Sequence, residues 1–114
     1  MRMKKVSLVA LLTAALPVFS LAQNAENGKR LFVRDGCYEC HGYAGQGGIA
    51  GARLAPPVLT GQAITRYIRR PAGAMPGFSD KVISDQEVAD IYAYLKTIPA
   101  PKPVKDIPLL NQLK

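Results

Sequence analysis

The chain holds two cysteines and one histidine, and all three fall within Cys37-Tyr38-Glu39-Cys40-His41. On one helical turn, two thiols three residues apart project to the same side. They can form thioethers with two vinyl groups along one edge of a porphyrin. The next residue then carries an imidazole nitrogen toward the iron, and C-x-x-C-H is the attachment signature of c-type haem. Other chemistry is available to the same residues. A C-x-x-C pair can be a redox dithiol, although that context places a strand before the motif and here a helical pattern precedes it. A zinc site of Cys and His usually takes four ligands, and the chain has three unless the site is intermolecular. A single structural disulfide is open to an exported protein. A Ser-His-Asp or Cys-His hydrolase would rest on the one His.

The compartment follows from the N-terminus. Arg2, Lys4 and Lys5 precede a mostly apolar run from Val6 to Phe19, and Ser20-Leu21-Ala22 places small residues at the positions a signal peptidase reads. Residues 1–22 are therefore expected to be a signal peptide, cleaved after Ala22, and the protein to be periplasmic. The apolar run is short of the ~20 residues a spanning helix needs, so no membrane span is expected after cleavage. Processing would leave 92 residues and lower the formal charge from +7 to +4. Nucleic acid is excluded as a partner for so modest a charge on an exported chain. Met1 and Met3 are lost, which makes Met75 the only remaining methionine.

Three helices must position these residues. Ala25–Asp35 follows the N-cap candidate Asn24 and stops at Gly36, with Gly28, Leu31 and Phe32 on one face. Gln62–Arg70 carries Ile64, Tyr67 and Ile68 and ends at Pro71. Asp85–Thr97 begins with the capping box Ser84/Glu87 and buries a broad face of Val88, Ile91, Tyr92, Tyr94 and Leu95. The intervening loops are too rich in Gly and Pro for helix or strand. The expectation is an all-α domain over residues 23–98, with a Pro-rich tail at 99–114 that is extended, its Ile107, Leu109 and Leu110 able to dock on the body. Three short helices give little core for 92 residues, and a buried porphyrin would complete it.

The chain resembles the small monohaem class I cytochromes c of bacteria. The likeness runs from Gly28-Lys29-Arg30-Leu31-Phe32 through Cys37-Tyr38-Glu39-Cys40-His41-Gly42, Pro57-Val58-Leu59-Thr60-Gly61 and Ala74-Met75-Pro76-Gly77-Phe78 to Ile91-Tyr92-Ala93-Tyr94-Leu95-Lys96. It implies helices wrapped round one haem c held by Cys37 and Cys40. It implies that the first and last helices cross near Gly28, Phe32 and Tyr94. His41 and Met75 would be the axial ligands, and the Pro57 carbonyl would orient His41, with the neighbouring Pro56 able to shift that register by one. Leu54, Leu59, Ile64, Ile68, Phe78 and Leu95 are candidates to line the haem.

Three functions fit. The first is a periplasmic one-electron carrier cycling between Fe(III) and Fe(II), whose Arg66, Arg69 and Arg70 dock on an acidic patch of a redox partner. The second is the cytochrome c subunit of a periplasmic dehydrogenase complex, with the tail as a docking strap. The third is an open-site haem enzyme or gas sensor, against which Met75 and the absence of a second His both count.

Overall fold

The computed structural model describes residues 22–113; residues 1–21 of the expected leader lie outside the described residues. Four α-helices follow in order: α1 (Ala25–Arg34), α2 (Cys37–His41), α3 (Gly61–Arg69) and α4 (Asp85–Thr97). No strand occurs among the described residues, as expected from the sequence. Each long helix starts at a side-chain cap. Asn24 accepts the Asn27 N–H, Thr60 accepts the Ala63 N–H, and Ser84 and Glu87 close a reciprocal capping box. The third and fourth helices fall within one residue of the sequence expectation at each end.

The core is built where α1 crosses α4. Leu31 and Phe32 of α1 meet Val88, Ile91 and Leu95 of α4, with Ile83 and Ala55 completing the buried set. Phe32 and Tyr94 stack at a tilt with ring centroids 5.7 Å apart. The closest approach is at Gly28, where an added Cβ would overlap the Asp90 carbonyl and lie 2.8 Å from the Ile91 nitrogen. Only a residue without a side chain lets the two backbones come this near.

Asp90 is the one buried charged residue among those described, at 5% exposure. Its carboxylate accepts the Asn24 backbone N–H at 2.8 Å, Asn27 Nδ2 at 2.8 Å and Gln86 Nε2 at 3.0 Å. It therefore ties the start of α1 to the middle of α4. Burial pushes its carboxyl up, but the three hydrogen bonds together outweigh that and hold it below the ordinary carboxylate value. A depressed folded-state pKa contributes stability above the unfolded value, and that contribution is lost as pH falls through the folded one. Asp90→Ala is expected to cost about 2–3 kcal/mol at neutral pH, since it removes hydrogen bonds to a charged group. Asp90→Asn should retain part of this and flatten the acid limb of the unfolding curve. Thermal melts between acid and neutral pH read both effects.

The tail differs from expectation. Residues 99–103 have no regular secondary structure, and Val104–Asp106 and Leu110–Gln112 form two short 3-10 turns that pack on each other. Neither packs on the four α-helices. Of the three residues expected to be able to dock on the body, Leu109 is 69% exposed, Leu110 38% exposed and Ile107 half-buried. The clustered prolines explain the separation, because each removes a backbone donor and stiffens the chain leaving α4.

Candidate functional site

Cys37, Cys40 and His41 stand together on α2, a five-residue helix joined to α1 at Gly36 and closed by Gly42, both at positive φ. Cys37 is half-buried against the core and Cys40 is exposed. Both thiols are free. Burial, with the nearby Asp35 carboxylate adding to it, pushes the Cys37 thiol up to about 11. A redox dithiol needs a stabilised thiolate near neutral pH, and at Cys37 the environment works against one.

The loop after α2 folds back over it. Gly47 N–H donates to the His41 carbonyl, and Leu54 and Ala55 N–H both donate to Gly45. This brings the Ala52 carbonyl to 2.7 Å from His41 Nδ1. A carbonyl can only accept, so Nδ1 is the donor, and in the neutral ring Nε2 then holds the lone pair a metal needs. The expected acceptor was the carbonyl of Pro57; in the structure Ala52, five residues earlier, takes that position. The reason is local. At Gly51 an added Cβ would lie 2.8 Å from the Cys40 carbonyl oxygen and 2.9 Å from His41 Nδ1, so the bare backbone at 51 lets the loop close on the imidazole. The crowding of glycines after the motif was the available signal for this contact.

Pro57 instead lines a small cavity of about 60 Å³ with Arg53, Leu54, Val58, Leu59 and Ile64. Met75 is half-buried on the loop that follows α3. Of the candidate lining residues, Leu54, Ile64, Ile68 and Phe78 are partly buried at the edge of the core. Leu95 is fully buried inside the helix pair, and Leu59 is half exposed. A larger groove of about 670 Å³ runs between α3 and α4 past Gln62, Arg66, Asp85 and Tyr92, but it touches none of the four candidate ligands.

The donor set can be tested against a covalent haem. Among the described residues, no three His, Cys, Asp or Glu side chains cluster as a metal site. A bare ion is thus a poor fit. Two free thiols one turn apart, an imidazole with its Nδ1 already bonded, and a thioether on a separate loop do fit. The protein also leaves the apolar side of α3 half covered. No residue of α3 is buried, and α3 packs on α4 while α2 packs on α1. Ile64 and Ile68 therefore present an apolar wall suited to a large flat hydrophobe.

Fold and site together define a c-type cytochrome domain of class I. The chain belongs to the family described as cytochrome C oxidase, cbb3-type, subunit III, which matches residues 23–95. No curated protein and no solved structure matches the chain. Membership brings haem-based electron transfer, a covalent haem c and a redox partner, and the two cysteines of the C-x-x-C-H sequence are consistent with such an attachment. No helix among the described residues is long and apolar enough to cross a membrane.

Proposed function

We propose that the protein is a periplasmic one-electron carrier whose haem c is joined to Cys37 and Cys40 and ligated by His41 and Met75. When bound, the haem supplies an Fe(III)/Fe(II) couple. The observation that carries this reading is the 2.7 Å bond from His41 Nδ1 to the Ala52 carbonyl, which fixes the ring and frees Nε2. The half-covered apolar side of α3 would be shielded further by a bound haem, and a less solvated site favours the less charged reduced iron. The purified protein is expected to carry one haem that survives denaturation and acid–acetone extraction. Extractable haem, or a mass equal to the bare polypeptide, overturns the reading.

The charge pattern supports docking to an acidic acceptor with a smaller patch than the sequence suggested. Arg69 is held by Asp85 and the Phe78 carbonyl. Arg66 and Arg70 are exposed and form no ion pair among the described residues. Electron transfer to an acidic acceptor should slow about tenfold as the Debye length falls from about 30 to 8 Å. Paired Arg66→Gln and Arg70→Gln changes should flatten that dependence. Stopped-flow rates across a salt series measure both.

A second reading, a cytochrome c subunit of a larger oxidoreductase such as a periplasmic dehydrogenase complex, is favoured by the tail. Val104, Leu109 and Leu113 are exposed on a segment separate from the body. Co-elution of the native protein with a larger enzyme on size exclusion would select this reading over the free carrier.

A further inference from the structure

The loop that carries Met75 leaves α3 at Arg70 and is tied back to the same helix eight residues later. Phe78 N–H donates to the Ile68 carbonyl at 2.9 Å. Arg69 Nη1 donates to the Phe78 carbonyl at 3.0 Å. Both backbone groups of one residue are thus held by consecutive residues in the last turn of α3. The two ends of the loop are in ordinary contact: a Cβ at Gly77 would lie 3.4 Å from the Arg69 carbonyl oxygen and 3.5 Å from Pro71 Cδ. Within the loop, Ala72 N–H faces Tyr67 Oη at 3.4 Å. The other arm of the guanidinium, Nη2, reaches Asp85 Oδ1 at 2.5 Å, at the start of α4. Arg69 is 21% exposed and Asp85 77%, so the bond to the Phe78 carbonyl is the better shielded of the two.

From this geometry we infer that Arg69 is the positioning residue that keeps Met75 on the iron, by locking the neck of its loop to both α3 and α4. The inference rests on the reading of Met75 as axial ligand. A ligand on a flexible loop leaves the iron whenever the loop opens. Pinning the ends removes most of the open states, because the closure entropy is already met by the folded neck. The guanidinium fork suits the task, since one planar group serves a carbonyl and a carboxylate at once. A lysine is a single point charge and cannot bridge the two in this way. Asp85 fixes the fork's second arm and so supports the first.

The test is imidazole binding to the ferric holoprotein, followed by visible absorbance, with melting temperature measured alongside. An external ligand binds only the fraction of molecules whose Met75 is off, so its apparent affinity reports that fraction. Met75→Ala should bind imidazole at least about a hundredfold tighter than wild type. Arg69→Gln should bind it about tenfold tighter, as expected for loss of a charge-assisted hydrogen bond. Arg69→Lys should fall between, and Asp85→Asn should shift in the same direction as Arg69→Gln by a smaller factor. With Met75→Ala already present, Arg69→Gln should add nothing. Arg34→Gln, which breaks ion pairs to Asp35 and Glu87 away from the loop, should leave the affinity unchanged. If wild type and Met75→Ala bind alike, Met75 is not a ligand and the inference falls with that reading. If Met75→Ala binds tightly but Arg69→Gln and Asp85→Asn behave as wild type, ligation stands and the role of Arg69 is overturned. An equal gain from Arg69→Gln in the Met75→Ala background also overturns it, since the effect would not pass through Met75.

Discussion

Gly28→Ala is expected to cost about 3 kcal/mol or more and to abolish most of the haem-loaded yield. Helix propensity alone argues the opposite, because Ala favours a helix over Gly by about 1 kcal/mol. The contact decides the sign. A methyl at 28 would overlap the Asp90 carbonyl, which is backbone in the middle of a capped helix and cannot rotate away. The helices must separate, which loosens the packing of Leu31 and Phe32 on Val88, Ile91 and Leu95. It also draws Asn24 and Asn27 off the buried Asp90 carboxylate. Overpacking commonly costs 1–3 kcal/mol, and a buried charge left short of partners adds to that. Domains of this kind are stable by only about 5–15 kcal/mol, so the loss is a large share. Gly48→Ala is the matched comparison, since nothing lies within 4 Å of its added Cβ. A melting temperature for Gly28→Ala within a few degrees of that of Gly48→Ala would refute the account.

Met75→Ala should leave the haem attached and lower the reduction potential by about 100 mV. A soft thioether prefers the reduced iron, and a ten- to hundredfold preference corresponds to about 60–120 mV for one electron. Because the thiols that would hold the haem are on α2, the substitution does not touch the attachment. The α1–α4 core is also unaffected, so the melting temperature should move less than for Gly28→Ala. The reduced variant should bind carbon monoxide rapidly where wild type does not. A redox titration and a carbon monoxide titration are the measurements. An unchanged potential with an unchanged visible spectrum would remove Met75 from the iron.

The helices were legible because their signals are local. Ser84 and Glu87 sit three residues apart, and Gly36 and Pro71 stop their helices by backbone chemistry that needs no partner. The crossing near Gly28, Phe32 and Tyr94 came with the resemblance, and Gly28 alone among helix residues marks it physically. Asp90 was not read as buried, because an acidic residue in an amphipathic helix ordinarily faces water; its three donors come from residues 24, 27 and 86. Arg69 was grouped with Arg66 and Arg70 by helical spacing, whereas its partners lie 9 and 16 residues on. The same limit explains Ala52. The carbonyl that meets His41 is chosen by how a glycine-rich loop closes, and no side chain at 52 announces it.

The crossing of α1 and α4 also has a consequence for the order in which the chain matures. A polypeptide made from its N-terminus presents α1 and the two thiols long before α4 exists, because some fifty residues separate Phe32 from Ile83 and the helix beyond it. Until those residues arrive, α1 has no partner for Leu31 and Phe32, and Cys37 has no completed core to bury it. The attachment sequence therefore passes through a window in which the Cys37 sulfur is as open as that of Cys40, and the last helix narrows that window at Cys37 while Cys40 stays exposed.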